Sequence, residues 1–319
     1  MPNGTPRCLF KRRFQLLASF LDNSGSLTYQ VPSSFIAVSS LDSRDRVAIV
    51  TGSSSGIGHA VCGRLAKKGI AVISVDQNDA PEGVDVVAHF GCDLGDSDAV
   101  ENLIQDLDDQ FDPATFVSLI NVAGVPGTQP ASTVLEVNLL AVRSLSRAFS
   151  SRFSAGASIV NIGSISGNAW QQRLDVHRFL LGLDDDQARE WWNDRSTSVG
   201  VDPYTFSKEA VIVWSMLQAG ELLGTGIRCN VVSPGPVDTP LLPTFREQIG
   251  DERIDWVLDH SGRAATPDEI AEAIEWLAVG ESRWVNGHHL VVDGGYTAGS
   301  LSGWVDVANA PAAKMTHVE

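Results

Sequence analysis

No stretch of this chain is apolar for long enough to cross a membrane as a helix. The longest notable uncharged stretch, Pro113 to Leu135, is interrupted by Asn121, Gly124, Pro126, Gly127 and Pro130, and a broken helix would leave polar backbone unsatisfied in lipid. Cysteine is scarce. Cys8, Cys62, Cys92 and Cys229 form no CxxC pair, which argues against a disulfide framework or structural zinc and for a reducing, cytoplasmic setting. Basic charge is also short, with 23 Lys+Arg against 39 Asp+Glu and a net charge of −16. Phosphate-rich partners need a basic face, so neither nucleic acid nor anionic membrane is an expected partner. His59, His89, His177 and His260 stand alone and His288-His289 has no second ligand nearby, so no metal site is expected. Glycine and proline, 29 and 14 of 319 residues, are too few for a fibrous or low-complexity chain. What remains, 43% apolar and 19% charged, is the composition of a globular protein with a real core.

The amino terminus differs from the rest. Residues 1–40 carry Arg7, Lys11, Arg12 and Arg13 against Asp22, net +3, which leaves −19 for the remainder. The apolar run Phe14–Leu21 is short and lacks a small-residue cleavage site, a poor secretory signal. An organelle address or an upstream start codon also fits, and residues 1–44 are read as a disordered leader.

From Arg46 the pattern becomes regular. Apolar runs at Val47–Val50, Ile70–Val75, Val86–Phe90, Phe116–Val122, Ser158–Ile162, Ile227–Val232 and His289–Val292 alternate with helical patterns at 56–68, 97–110, 132–150, 204–223 and 267–278. Strands that alternate with helices predict an α/β fold, a doubly wound parallel sheet of the Rossmann type. The single domain is placed at 45–298, followed by a tail at 299–319. Residues 170–201 are too long for a simple connection. With Trp170, Trp191 and Trp192, and with Asp184–Asp186 as a helix start, they read as a small helical insert. Arg173, Arg189 and Arg195 alternate with acids there and read as a solvated face. Residues 240–262 are read as a lid.

Three patterns carry chemistry. Thr51-Gly52-Ser53-Ser54-Ser55-Gly56-Ile57-Gly58 lies between the first strand and first helix; such glycines let backbone approach a pyrophosphate at a helix amino terminus. Asp76 closes the second strand, where a carboxylate accepts from both adenosine ribose hydroxyls and repels a 2′-phosphate. Neither Ser53–Ser55 nor Gln77–Asp79 offers a base, so NAD is predicted over NADP. Tyr204 and Lys208 sit four apart on one helix face, where a neighbouring ammonium favours a phenolate.

Together with Asn121-Val122-Ala123-Gly124, Ser164 and Pro234-Gly235-Pro236-Val237-Asp238-Thr239, these occur in an order that resembles the short-chain dehydrogenase/reductase family over about residues 45–298. The resemblance implies that Gly52, Ser54, Gly56, Ile57 and Gly58 form the cofactor turn and that Asp93 and Leu94 flank adenine. Asn121, Ala123 and Gly124 would match the family's Asn-Asn-Ala-Gly strand end, with Val122 in place of the second Asn. Asn138 would hold a proton-relay water through its carbonyl. Ser164 would steady the reacting oxygen, Tyr204 would be the acid/base, and Lys208 would bind ribose and lower the Tyr204 pKa. Val237 and Thr239 would contact the nicotinamide carboxamide.

The gap from Ser164 to Tyr204, which holds the insert, is longer than the family's usual one. It resembles that of 3α-hydroxysteroid dehydrogenase/carbonyl reductases and, more closely, bacterial coniferyl-alcohol dehydrogenases. The latter likeness rests on Asn121–Thr128, Glu209–Trp214 and Glu281–Asn286. The implied activity is NAD-dependent oxidation of an alcohol, aromatic in the nearer resemblance, with a small-molecule alcohol or carbonyl as substrate. The alternatives are a 3α-hydroxysteroid dehydrogenase/carbonyl reductase and a catalytically silent NAD-binding regulator. Trp170 is a candidate to stack on an aromatic substrate. In the family, the helix starting at Tyr204 forms part of a four-helix subunit interface, which the insert would cover, so a homodimer is expected.

Overall fold

A computed structural model describes residues 46–312; the expected leader at 1–44 lies outside the described residues. β1 (Val47–Thr51) begins the sheet with strict alternation: Val47 and Ile49 enter the apolar layer on one face, Ala48 and Val50 the layer on the other. A strand buried on both faces needs this two-residue period without polar interruption. α1 (Gly56–Lys67), β2 (Ala71–Asp76), β3 (Ala88–Gly91), α2 (Ser97–Gln110) and β4 (Phe116–Asn121) complete the first half. The second half holds α3 (Ala131–Leu135), which runs through a π turn at Glu136–Leu140 into α4 (Ala141–Ser150), and then β5 (Ser158–Ile162). The insert follows, with α5 (Leu174–Leu181) and α6 (Asp185–Arg195). The chain continues through α7 (Pro203–Glu221), β6 (Arg228–Pro234), α8 (Leu242–Ile249), α9 (Asp251–Ser261), α10 (Pro267–Val279), β7 (His289–Val292) and α11 (Tyr296–Ser302).

The seven strands are parallel in the order β3-β2-β1-β4-β5-β6-β7. Strand order reverses between β1 and β4, and at such a switch point the carboxyl ends of the strands open a crevice. α11 crosses position 298, where the sequence reading ended the domain, and Val305 beyond it is buried against Tyr296 and Val257.

The insert is helical as its sequence predicts, and Asp184 and Gln187 close a capping box at the start of α6. Arg173 and Arg189 are not part of a solvated face. Arg173 donates from Nε to Glu209 at 2.7 Å, and Glu209 is fully buried on α7. His177, also fully buried, meets the same carboxylate from Nε2 at 2.9 Å. Arg189 donates from Nε to Glu136 at 2.6 Å. Arg195 alone keeps to the expectation, half exposed and 3.9 Å from Asp194. Leu180, Leu181, Ala188 and Trp192 pack with Phe206, Ala210, Val213 and Trp214. The insert therefore covers α7 and the start of α4.

Candidate active site

At the carboxyl edge of β1, β4 and β5 a cavity of about 890 Å³ opens. Its floor is the turn after β1. Gly52 (φ +66°) donates from its amide to Val75 O at 2.9 Å. A Cβ on Gly52 would lie 2.7 Å from Ala123 backbone, and one on Gly58 would lie 2.0 Å from Gly52 O. Only bare backbone fits there. Ser55 caps α1 without a side-chain hydrogen bond, so the first N–H groups of that helix have no side-chain acceptor and suit an anion.

Asp76 lines the far end. It accepts from Ser54 N at 3.0 Å, Asn78 N at 2.9 Å and Asn78 Nδ2 at 3.0 Å, so its carboxylate is held in place. Among the described residues, the basic side chains lining the cavity are Lys208 and Arg253, neither on the segments next to Asp76. Asp93 and Leu94 line the same end, Ile57, Ala123 and Gly124 the middle, and Val237 and Thr239 the opposite lip. A pyrophosphate, an adenosine ribose with free hydroxyls and a nicotinamide match these surfaces, so the residues present fit NAD.

The reacting end is built by β5 and α7. Asp202 caps α7, accepting from Thr205 N at 3.1 Å, and Pro203 occupies its first turn. That cap sets Tyr204 and Lys208 one turn apart on the cavity side, together with Ser164 at the end of β5. Lys208 donates to Ile162 O at 2.9 Å, and its Nζ lies 5.8 Å from the Tyr204 ring centre. A Cβ on Gly124 would stand 3.4 Å from Lys208 Nζ and 3.3 Å from Asn138 Oδ1. Burial pushes the Tyr204 phenol up to about 12; a hydrogen bond with Ser164 offsets this in part, and Asp202 adds to it. Burial likewise brings Lys208 down to about 8. A buried phenol and a buried amine one helical turn apart are groups whose charge states a further cation can tip.

Four sequence-predicted residues lie off the cavity wall. Ser54 acts through its amide on Asp76, while its hydroxyl bonds Asp79 O. Asn121 lies beneath the floor and donates to Asn161 Oδ1 at 2.8 Å and Ser146 Oγ at 3.2 Å. Its role is to tie β4 to β5 and α4. Asn138 sits in the π turn; its side chain accepts from Val125 N at 2.8 Å and donates to Val125 O and Ser207 Oγ. Single π turns recur at functional sites because they interrupt the regular ladder of backbone bonds. Trp170 corrects the expectation of substrate stacking: it packs in the apolar cluster between the insert and α7, and no residue of 170–201 lines the cavity. The insert folds outward over α7 because its buried salt bridges and tryptophans point there.

The apolar wall of the cavity comes instead from α8 and α9. α8 and α9, joined at Gly250 (φ +100°), contribute Leu241, Leu242, Phe245, Ile249, Arg253, Ile254 and Val257. Val125, Pro126 and Tyr296 line the same cavity, and Tyr296 packs on Val257 of α9. The segment 240–262, read from the sequence as a lid, supplies these lining residues; sequence reasoning missed Gln248, whose side chain is buried between Gly127 and Asp202. No local pattern marks it, since both partners are distant in sequence.

A family profile described as "short chain dehydrogenase" matches residues 46–175, and one described as "Enoyl-(Acyl carrier protein) reductase" matches 194–297. Coniferyl-alcohol dehydrogenase of Pseudomonas sp. strain HR199 is 38% identical over 251 residues, a match covering 77% of this chain and 94% of that one. Among solved structures, 3-alpha-hydroxysteroid dehydrogenase from Pseudomonas sp. B-0831 complexed with NADH has a TM-score of 0.65 and 29% identity, covering 80% of this chain and 98% of that one. A structure from Beutenbergia cavernae with bound NADP has a TM-score of 0.61 and 26% identity, over 80% and 98% of the two chains. With Ser164, Tyr204 and Lys208 on one cavity beside a glycine cradle, this chain belongs to the short-chain dehydrogenase/reductase family and is an oxidoreductase acting on CH–OH groups.

Proposed function

We propose that the protein is an NAD-dependent dehydrogenase of an aromatic alcohol of the coniferyl type. The observation that carries this is the pairing of two ends of one cavity: Ser164, Tyr204 and Lys208 at one, and Asp76 without a neighbouring base at the other. Asp76 favours NAD because its fixed carboxylate accepts ribose hydroxyls and would stand against a 2′-phosphate. The substrate wall of Phe245, Leu241, Leu242, Ile254 and Tyr296 suits a ring, since aromatic side chains bury large flat apolar areas well. The identity with coniferyl-alcohol dehydrogenase supports the same substrate class.

When bound, NAD supplies the hydride acceptor and a positive charge beside the phenol. Tyr204 then takes the hydroxyl proton of the alcohol, which needs the phenolate that burial alone disfavours. Lys208 keeps an ammonium one turn away, and its bond to Ile162 O fixes it there. Ser164 donates to the reacting oxygen through the transition state. The Asn138 backbone, in the π turn, would lead the proton outward.

The second reading is a 3α-hydroxysteroid dehydrogenase/carbonyl reductase, which the likeness to that enzyme's structure favours. NADH absorbance assays with coniferyl, cinnamyl, benzyl and 3α-hydroxysteroid alcohols, each with NAD and NADP, separate the two. Steroid turnover far above that of every aromatic alcohol would overturn the first reading. We read the location as cytoplasmic, a reading the free, buried thiols of Cys62, Cys92 and Cys229 support. We read the assembly as a homodimer, a reading supported by the insert's cover of the α4 and α7 surface; a tetramer by light scattering would contradict it.

A further inference from the structure

Gln248 lies where three separate segments meet. It is 4% exposed although it sits on the outer lid helix α8. Its Oε1 accepts from Gly127 N at 2.9 Å, and Gly127 lies between the cavity-lining Pro126 and Thr128. Its Nε2 donates to Asp202 Oδ1 at 3.3 Å. That same oxygen accepts from Thr205 N and so caps the helix that carries Tyr204. Gly127 itself is wedged in place: a Cβ there would lie 2.5 Å from Gln248 Nε2 and 3.1 Å from Tyr204 Cβ. One turn before Gln248 on the same helix face, the Phe245 ring stands 5.1 Å from the Tyr204 ring.

We propose that Gln248 is a positioning residue, the clasp that couples closure of the lid to the seating of Tyr204. The side-chain amide is suited to this because it accepts and donates at once. Its acceptor satisfies a buried backbone N–H, and its donor shares the cap oxygen of α7. With the clasp made, Phe245 lies over the base of Tyr204 and water is kept from the phenol. With it broken, α8 loses its polar hold on both the cavity rim and the catalytic helix, and Tyr204 gains water. The proposal rests on the reading of Tyr204 as the acid/base, but the clasp itself can be measured without turnover.

The test uses Gln248→Met and Gln248→Glu in the full-length protein. Gln248→Met keeps the length and loses both bonds. It should speed hydrogen exchange at the Gly127 amide and across 242–261, and lower kcat/KM for alcohol oxidation by ~10²-fold, the scale of a misplaced reacting group. The pH limb of kcat/KM should also move to lower pH, because burial is what holds the Tyr204 phenol up. Gln248→Glu keeps the acceptor for Gly127 but sets a carboxylate against Asp202. Its activity relative to wild type should recover as pH falls and the new carboxyl becomes a donor. Wild-type exchange rates in both variants would overturn the proposal. So would an activity loss in Gln248→Glu with no pH dependence relative to wild type, the result of packing alone. If the wild type oxidises no alcohol while Gln248→Met still speeds exchange at Gly127, the reading of the reaction fails and the clasp stands.

Discussion

Replacing Arg173 with methionine tests how the insert is held to the catalytic body. Arg173 and His177 are the partners of Glu209, and the side chain of Glu209 has no solvent exposure while that of Arg173 has 17%. Burial would raise the Glu209 carboxyl, but the bonds from Arg173 and then His177 outweigh it and bring it below the ordinary carboxylate range. Removing one partner of such a pair leaves a buried charge short of compensation, at a cost of about 3–5 kcal/mol. His177 remains in Arg173→Met, which places the loss near the lower end, about 3 kcal/mol. For a domain of this size that corresponds to a fall in Tm of about 6–12 °C. The sign with pH follows from the lowered carboxyl. The ionised form stabilises the fold above the unfolded carboxylate pKa, and that contribution is lost as pH falls through the folded value. Arg173→Met weakens the lowering, so its acid unfolding should begin at a higher pH than in wild type. Thermal and denaturant melts followed by circular dichroism across a pH series measure both effects. The double variant Arg173→Met/Glu209→Met should recover most of the loss, since it removes the stranded charge together with its partner. A loss below about 1 kcal/mol, the range of an exposed pair, with an unmoved acid limb would refute the buried clamp.

Asp76→Ala should lower the NAD/NADP ratio of kcat/KM by ~10–100-fold, the scale of a lost charged hydrogen bond; an unchanged ratio would remove the basis for NAD. For wild type, log(kcat/KM) for alcohol oxidation should rise with pH to a plateau as the Tyr204 phenol ionises, its limb below about 12 because the bound cation opposes the effect of burial. A flat or falling profile would rule out Tyr204 as the base. Trp170→Ala should cost ~2 kcal/mol of stability as a half-buried packing residue, with KM raised no more for an aromatic alcohol than for an aliphatic one. A selective rise for the aromatic alcohol would return Trp170 to the substrate site.

The sheet was legible because its strands read as short, mostly apolar runs that alternate with helical patterns. Gly52, Gly56 and Gly58 announced the cradle through the backbone approach they permit, and Tyr204 and Lys208 through a spacing of one helical turn. The insert was legible as helical from the Asp184 cap and its length. Its direction was not, because the residues that set it are paired across the chain. Arg173 meets Glu209 and Arg189 meets Glu136, whereas a reading along the sequence sees only nearby acids and infers a solvated face. Gln248 escaped for the same reason, since its use depends on Gly127 and Asp202. Trp170 follows Ser164 closely, yet nearness in sequence did not bring it to the cavity once the chain turned outward over α7.

In the proposed reaction Tyr204 transfers the substrate proton, while the cofactor is held independently of it. Measuring NADH formation from coniferyl alcohol by wild type and by Tyr204→Phe, alongside NADH binding by both, tests it most directly. Turnover should fall by ~10²–10⁴-fold in the variant, the worth of a general acid–base group, while NADH affinity stays near that of wild type. A Tyr204→Phe enzyme that turns over at a rate close to wild type would show that Tyr204 does not carry the proton.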